Sequence, residues 1–385
     1  MSRRLLLTLF CWVQALFALR VMYRLLRTAG GERVRPTLQA NPGEERRLAI
    51  VVPVLNERER LDPCLDGLLE QGEVVAEILV VDGGSHDGTQ DLVACYLPRD
   101  PRIRLLDASP IPANWNGKSW GLHYACERLA PQVDWVLTLD ADVRPGALLA
   151  RSLLAHARGT RLSALSGAPL QELPGPGLAL LHPALLTTLI YRFGMPGKPI
   201  RMLHEVQANG QCFLIRRALL ENCGGFVCTR ASVCEDVTLA RTLVAAGHVV
   251  GFYEVGDLAR VEMYRTWQDA WENWTRSLPM HDQFSGFHTL AGWLEVVLVQ
   301  AVPLPLFLLL LCKRNHAPGL LWLNGLYVAL RLGVLAGSAR AYRHRPWTYW
   351  FSPLCDLPVA LKLASSAWRR RHTWRGRVIL RGGVK

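Results

Sequence analysis

Short apolar runs alternate with amphipathic stretches along the chain from Leu48 onward. The apolar runs are residues 49–54, 76–82, 103–106 and 135–139, and the amphipathic stretches between them are 61–69, 86–95 and 119–130. Apolar runs of this length between helix-like stretches are typical of strands buried in a parallel sheet. The alternation predicts an α/β fold, with helices packed on the sheet and ligands bound at the carboxyl ends of the strands.

Longer apolar segments lie near both ends of the chain. Residues 5–21, 293–312 and 320–339 are long enough for membrane-spanning helices. No small-residue cleavage site follows the first of these, so we predict an uncleaved anchor rather than a signal peptide. A weaker segment, residues 347–368, contains Asp356 and Lys362. We expect this segment to be re-entrant or interfacial.

The charge is basic and gathers beside the apolar segments. Lys and Arg number 44 against 32 Asp and Glu, a formal net charge of +12. Zinc-finger, RNP and helix-turn-helix signatures are missing, which argues against a nucleic-acid partner. The arginines cluster at positions 3, 4, 20, 24 and 27 and again at 369–371, 375, 377 and 381. This placement favours anionic lipid head groups, and the positive-inside rule puts the chain after the first segment in the cytoplasm.

Two carboxylates follow the strand at 135–139. Asp140 and Asp142 stand one residue apart before Pro145 and Gly146. In extended chain, residues at i and i+2 share a face, so both acids can point at one spot. Hard oxygen ligands suit Mg²⁺ or Mn²⁺, which would bridge the phosphates of a nucleotide. The alternative is a turn in which the acids cap backbone N–H groups.

Polar residues also follow the other predicted strands. Asn56 and Glu57 come after the first strand, and Asp82 is followed by glycines at 83, 84 and 88. Asp82 could accept a hydrogen bond from a base N–H or a ribose hydroxyl, although the dinucleotide-binding spacing is absent. Lys118 precedes a predicted helix and could pair with a diphosphate, or be a solvated surface lysine.

Two further polar stretches lie beyond the central strand. Residues 209–213 form a polar turn before an apolar run and could line an acceptor pocket or make a hairpin. Glu235 and Asp236 open an amphipathic helix. Acids in a first helical turn interact favourably with the helix dipole. The alternative is a general base that deprotonates an acceptor hydroxyl.

Four of these motifs in this order resemble the family 2 glycosyltransferases with a GT-A fold, over roughly residues 48–255. The motifs are Val52-Pro53-Val54-Leu55-Asn56-Glu57, Val81-Asp82-Gly83-Gly84-Ser85-His86-Asp87-Gly88-Thr89, Asp140-Ala141-Asp142 and Glu235-Asp236. The resemblance implies a mixed sheet flanked by helices that binds a nucleotide-sugar donor. It assigns the donor to Pro53, Asn56, Glu57, Asp82, Lys118 and Asp140, and the Mg²⁺ or Mn²⁺ to Asp142 and Asp140. It implies an inverting transfer with Asp236 as base and Glu235 beside it.

The chain departs from the polysaccharide synthases of that family. Their Gln-x-x-Arg-Trp signature is missing; instead, Trp267, Trp271 and Trp274 stand at i, i+4 and i+7, on one predicted helix face. This face could lie at the membrane interface or pack in a core. With 114–118 and 374–377, the region is similar to non-processive members that glycosylate carotenoids or accompany hopanoid synthesis.

The resemblance implies transfer of one sugar, such as a hexose from UDP, to the hydroxyl of a carotenoid or related isoprenoid lipid. The alternatives are a polyprenyl-phosphate or polysaccharide acceptor, and a membrane protein that binds sugar nucleotides without turnover. The predicted divisions are a membrane anchor at 1–30, a linker at 31–47, a catalytic domain at 48–258, an interfacial region at 259–290, C-terminal membrane segments at 291–368 and a basic cytoplasmic tail at 369–385.

Overall fold

The computed structural model describes residues 3–38, 46–276, 285–313, 318–366, 371–374 and 377–380. The chain divides into two compact units. The sheet unit consists of Gly31–Gln171, Pro196–Met263 and Arg370–Lys385. The helical unit consists of Met1–Gly30, Glu172–Met195 and Tyr264–Arg369.

The strands and helices are numbered in chain order. The strands are β1 (Leu48–Val54), β2 (Val75–Asp82), β3 (Ile103–Asp107), β4 (Trp135–Leu139), β5 (Val143–Pro145), β6 (Ala164–Gln171), β7 (Lys198–Ile200), β8 (Cys212–Arg216), β9 (Val250–Val261), β10 (Arg371–Trp374) and β11 (Arg377–Leu380). The α-helices are α1 (Arg3–Thr28), α2 (Asp62–Leu69), α3 (Thr89–Ala94), α4 (Gly117–Cys126), α5 (Leu149–Gly159), α6 (Pro176–Phe193), α7 (Arg217–Asn222), α8 (Glu235–Ala245), α9 (Trp267–Asn273), α10 (Gly286–Glu295), α11 (Pro303–Leu311), α12 (Pro318–Ser338) and α13 (Asp356–Ser366). Shorter 3₁₀ segments are Leu203–Glu205, Gly225–Thr229, Trp274–Arg276, Ala339–Ala341 and Trp347–Cys355, and Val296–Ala301 is a π-helix.

Nine strands of the described chain form one sheet in the sheet unit. Across the sheet their order is β3, β2, β1, β4, β8, β6, β9 and β5, and β7 pairs with β9. The first four strands in this order are parallel, whereas β8 is antiparallel to both of its neighbours. The mixed sheet flanked by helices that the family resemblance implies is therefore confirmed. The parallel pairing that the alternation alone predicts holds among the first four strands.

The central strands are apolar because both faces of the sheet are covered. Ile50 of β1 belongs to a core cluster that includes residues of α2 and α5, and its neighbour Val51 belongs to a cluster on the other face with residues of α4 and α8. Successive strand residues point to opposite faces, so a doubly covered strand needs apolar residues at every position. The parallel pairing then brings the carboxyl ends of β1, β2 and β4 to one edge.

Part of the predicted linker, 31–47, is docked on the sheet unit. The Val34 N–H donates to the carbonyl oxygen of Glu254 at 3.0 Å, and the Glu32 N–H donates to that of Gly197 at 2.9 Å. Gly31 lies so close to Gly197 that a β-carbon on Gly31 would be 2.7 Å from the Cα of Gly197. Residues 39–45 of the linker lie outside the described residues.

Within the described residues, three helices are long and apolar enough to cross a membrane. They are Leu5–Thr28, Gly286–Leu311 and Pro318–Ala341. They coincide with the three segments predicted to span, and the first continues past the predicted end at residue 21. The described part of the weaker segment, residues 347–366, forms a 3₁₀ segment followed by α13. Helix α6 also belongs to the helical unit, which the predicted catalytic range 48–258 did not anticipate.

Polar residues that interrupt the apolar helices are paired with each other. The Gln14 Nε2 of α1 donates to the Leu298 carbonyl oxygen and to Asn324 Oδ1, both at 2.9 Å. Arg331 of α12 lies 2.8 Å from Asp356 of α13, and these side chains are 3% and 1% exposed. Polar groups inside an apolar helical unit are tolerated when they satisfy one another in this way.

Glu295 of α10 is the anchor point for α1. Its Oε1 lies 3.0 Å from Arg20 Nε, its Oε2 lies 2.8 Å from Arg24 Nη1, and its side chain is 1% exposed. Arg24 also donates to the carbonyl oxygen of Tyr191 in α6. Two of the arginines that we expected to meet lipid head groups are therefore held within the helical unit. Much of the second cluster, 369–385, lies outside the described residues.

The three tryptophans of the predicted stripe have different surroundings. Trp274 is 1% exposed, whereas Trp267 is 49% exposed. The Lys362 Nζ lies 4.4 Å from the centre of the Trp271 ring. The α-helix ends at Asn273 and the chain tightens into a 3₁₀ turn, so the i, i+4, i+7 spacing does not give one uniform face. The predicted alternatives are a membrane-interface face and a core-packing face. Trp274 is packed in a core, whereas Trp267 is exposed.

We predict that Glu295→Ala destabilises the helical unit strongly. The substitution leaves Arg20 and Arg24 without their buried carboxylate, and breaking a buried pair in this way costs about 3 kcal/mol. Thermal unfolding in detergent, followed by tryptophan fluorescence, measures the change.

Asp134→Ala is the control, because Asp134 pairs at 3.3 Å with Arg47 and these side chains are 50% and 44% exposed. An exposed pair contributes less than about 1 kcal/mol. Equal losses for the two variants would show that Glu295 does not anchor α1.

Candidate active site

The loop after β1 is tied to the loop after β2. Asn56 has a φ of +53°, a left-handed conformation that asparagine tolerates better than most residues. Its N–H donates to Ser85 Oγ at 2.8 Å, and its Oδ1 accepts from the His86 N–H at 2.9 Å. Glu57 is 8% exposed, and its N–H donates to Thr89 Oγ1 at 2.9 Å. The predicted donor residues Asn56 and Glu57 are thus built into one rigid edge.

Asp82 organises the loop that follows β2. Its carboxylate is fully buried and accepts from the N–H groups of Gly84 and Ser85 at 3.0 and 2.9 Å. Gln90 Nε2 donates to it at 2.7 Å, and the Ser85 hydroxyl donates to its other oxygen. Gln90 was missed in the sequence, where its position in the first turn of a short helix is the only signal. Pro53, which is partly exposed, pairs in register with Val81 of β2.

Asp140 and Asp142 occupy the short connection between β4 and β5. The Asp140 carbonyl oxygen accepts from the Val143 N–H at 3.1 Å, which closes the turn. The Asp142 Oδ1 is buried and has no hydrogen-bond partner among the described residues. Burial, with Asp140 and Glu57 nearby, raises the pKa of Asp142 to about 7. Such a carboxylate is costly to leave ionised without a cation.

Lys118 joins the carboxylates after β4 to those of α8. Its Nζ lies 2.6 Å from Asp140 Oδ1 and 2.5 Å from Glu235 Oε1. Burial disfavours the ammonium, but the charges of Asp140, Glu235 and Asp236 outweigh this and raise the pKa of Lys118. Asn116 caps α4 and donates from Nδ2 to the Ser232 carbonyl oxygen at 2.7 Å, which fastens this helix start to the segment before α8.

Glu235 and Asp236 form the first turn of α8. Glu235 is 4% exposed. Burial and the neighbouring Glu235 raise the pKa of Asp236 to about 7, while Lys118 and a backbone hydrogen bond oppose the rise. A carboxylate with a pKa near neutrality can exchange a proton efficiently at physiological pH.

Gly210 packs directly against these charged groups. A β-carbon at this position would lie 2.9 Å from both Lys118 Nζ and Glu235 Oε1 and 3.2 Å from Asp236 Cγ. The turn is fixed by Asn209, whose N–H donates to Ser166 Oγ at 2.7 Å and whose Nδ2 donates to Gln211 Oε1 at 2.9 Å. The polar turn at 209–213 therefore lies against the carboxylate cluster, which the sequence alone did not reveal.

The acidic residues can provide part of a metal site. Within the described ranges, no group of three or more His, Cys, Asp and Glu side chains could hold a metal ion. Mg²⁺ characteristically takes one or two protein carboxylates and completes its shell with substrate phosphates and water. Asp140 and Asp142, with the unpaired buried oxygen of Asp142, fit that donor set.

Comparison with known proteins finds a family model that matches part of this chain. Residues 49–224 match the model of the family described as Glycosyl transferase family 2. A dolichyl-phosphate beta-glucosyltransferase from Trichomonas vaginalis is 29% identical over 141 residues, which cover 31% of this chain and 40% of that protein. A lipopolysaccharide core biosynthesis glycosyltransferase from Rhizobium meliloti is 33% identical over 97 residues, 25% of this chain and 32% of that protein. The chain thus spans less than half the length of either relative.

A solved structure shares the fold over most of the chain. The mannosyltransferase from Pyrobaculum calidifontis, in complex with GDP-Man and Mn²⁺, aligns with a TM-score of 0.50 at 15% identity. The alignment covers 93% of this chain and 99% of that one. Residues 49–224 are therefore similar to the glycosyl transferase family 2 domain, and the fold is a GT-A-like mixed sheet with flanking helices.

Proposed function

We propose that the protein is an inverting, metal-dependent glycosyltransferase of the membrane. It transfers one sugar from a nucleotide-sugar donor, such as a UDP-hexose, to the hydroxyl of an apolar acceptor, a carotenoid or related isoprenoid lipid. The observation that carries the proposal is the position of Lys118, which contacts both Asp140 and Glu235. The candidate metal ligands and the candidate base are thereby held in one cluster.

Asp236 is proposed as the general base. It accepts the proton of the acceptor hydroxyl while the acceptor oxygen attacks the anomeric carbon and the nucleoside diphosphate leaves from the opposite side. A divalent metal held by Asp140 and Asp142 would stabilise the charge that develops on the departing diphosphate. The edge built by Pro53, Asn56 and Glu57 and the Asp82 loop would hold the nucleoside.

The helical unit supports an apolar acceptor. Three helices of the described chain could cross a membrane. The arginine distribution of the sequence supports a cytoplasmic position for the catalytic domain. Trp267, which is 49% exposed, has the side-chain chemistry of a membrane-interface residue.

A polyprenyl phosphate is the second candidate acceptor. Two of the relatives are dolichyl-phosphate beta-glucosyltransferases from Trichomonas vaginalis, at 29% and 34% identity over 31% and 25% of this chain. A phosphate oxygen is already ionised near neutral pH, so its attack needs no strong base. A polysaccharide acceptor and a binding protein without turnover are the remaining alternatives.

We expect radiolabelled sugar to pass into a solvent-extractable product. Membranes that contain the full chain are incubated with labelled UDP-sugars, Mn²⁺ and a total lipid and pigment extract. Asp142→Asn, which removes a candidate metal ligand, provides the blank. Label in a neutral extractable product supports the isoprenoid hydroxyl, and label retained on an anion exchanger supports the polyprenyl phosphate. Label in insoluble polymer would favour a polysaccharide synthase. If no sugar gives labelled product, the alternative of a sugar-nucleotide-binding protein without turnover is favoured.

We predict that Asp236→Asn abolishes transfer to a hydroxyl acceptor and preserves donor binding. Loss of a general base lowers kcat by about a hundredfold or more. Initial rates give kcat, and equilibrium binding of the nucleotide sugar gives Kd. Asp134→Asn is the matched control, because Asp134 is half exposed and pairs at 3.3 Å with Arg47. An Asp236→Asn enzyme with full activity would exclude Asp236 as the base.

We predict that transfer to a hydroxyl acceptor rises with pH through about 7. Burial raises the pKa of Asp236 to about 7. Glu235 on the same helix and Asp140 after β4 also raise it, whereas Lys118 of α4 lowers it. Below that pKa the carboxyl is protonated and cannot accept a proton, so kcat/KM should fall about tenfold per pH unit and level off above it. A pH profile at saturating metal and donor tests this. A limb near the ordinary aspartate pKa of about 4 would contradict the assignment.

A further inference from the structure

Lys118 is engaged with both parts of the carboxylate cluster. Its side chain is 19% exposed, and its ammonium contacts Asp140 Oδ1 at 2.6 Å and Glu235 Oε1 at 2.5 Å. Charge-assisted hydrogen bonds of this length are among the stronger polar contacts in proteins. In this arrangement one ammonium is shared between the two carboxylates of Asp140 and Glu235.

The contact with Asp140 conflicts with metal binding at the same carboxylate. Under the proposed function, Asp140 and Asp142 hold a divalent cation. A divalent ion on Asp140 and an ammonium hydrogen-bonded to it are like charges a few ångströms apart, and their repulsion is strong in a partly buried site. The Asp140–Lys118 contact must therefore weaken when the metal binds.

We infer that Lys118 is the resident counter-ion of Asp140 and yields this carboxylate to the divalent metal that accompanies the donor. The inference rests on the proposed function and deepens it. An ammonium has three N–H donors, so release from Asp140 frees one while Glu235 retains another. The freed donor is then available to the diphosphate, the partner that the sequence suggested for Lys118.

The close packing around Lys118 keeps this exchange local. A β-carbon on Gly210 would lie 2.9 Å from Lys118 Nζ, so the turn at 209–211 closes one side of the ammonium. Asn116 fixes the start of α4 through its bond to the Ser232 carbonyl oxygen at 2.7 Å. Lys118 thus changes partners by rotating its side chain, without displacement of α4 or α8.

The exchange gives two effects of opposite sign when Lys118 is removed. Lys118→Met eliminates the cation that competes for Asp140, so Mn²⁺ alone should bind more tightly by roughly tenfold. The same variant lacks the donor that reaches the diphosphate, so UDP at saturating Mn²⁺ should bind more weakly by roughly tenfold. A purely structural role for Lys118 would weaken both.

The experiment titrates the purified full chain in detergent with Mn²⁺, followed by electron paramagnetic resonance of free Mn²⁺, and then with UDP at saturating Mn²⁺. Lys198→Met is the control, because Lys198 is exposed on β7, outside the cluster. Lys118→Gln, which keeps a donor without the charge, is measured beside Lys118→Met in case the latter does not fold. It should also bind Mn²⁺ more tightly than the wild type does.

The outcomes separate this inference from the proposed function. Tighter Mn²⁺ binding with weaker UDP binding supports the exchange. Unchanged Mn²⁺ binding by Lys118→Met, or weaker binding of both ligands, overturns the exchange. If Asp142→Asn abolishes Mn²⁺ binding in the same experiments, the proposed metal site is still supported. If the wild type and Asp142→Asn bind Mn²⁺ equally, or the wild type does not bind it, the metal site of the proposed function is overturned, and this inference with it.

Discussion

Carboxylates withdrawn from water need cations or hydrogen-bond donors, and this requirement shapes both units of the protein. In the helical unit, Glu295 is matched by Arg20 and Arg24, and Asp356 by Arg331. In the sheet unit, Asp82 is surrounded by donors from its own loop. The pairings in the helical unit join separate helices, α1 to α10 and α12 to α13, whereas those of Asp82 hold the loop after β2.

The candidate active site departs from this rule in one place. Among the described residues, Asp142 keeps a buried oxygen without a hydrogen-bond partner, and its pKa is raised to about 7. A group that costs stability in the ligand-free protein is expected where a ligand completes it. Lys118 contacts the neighbouring Asp140, and Asp140 and Asp142 together offer the carboxylate oxygens that a divalent cation prefers.

The sequence predicts those features that depend on local pattern. The strands and the polar residues at their ends follow from apolar runs and turns, and the parallel pairing of β1, β2 and β4 collects these residues at one edge. Pairings across long separations had no local signal. Arg20 and Glu295 are 275 residues apart, and Lys118 meets Glu235 where α4 lies against the segment before α8, a contact that Asn116 also makes. Gly210 likewise looks like any turn glycine until the folded chain surrounds it with charges.

The sequence leaves two explanations for the acids that open α8, a dipole interaction and a general base, and the surroundings of Asp236 bear on both. The start of a helix favours negative charge, and a backbone hydrogen bond lowers the pKa of Asp236. Burial and the adjacent Glu235 raise that pKa by more. Lys118 and the backbone hydrogen bond therefore oppose the rise in the pKa of Asp236, while burial and Glu235 leave that pKa near neutrality, as the proposed base requires. A solvated first turn would give only the dipole interaction, because an exposed carboxylate remains a weak base.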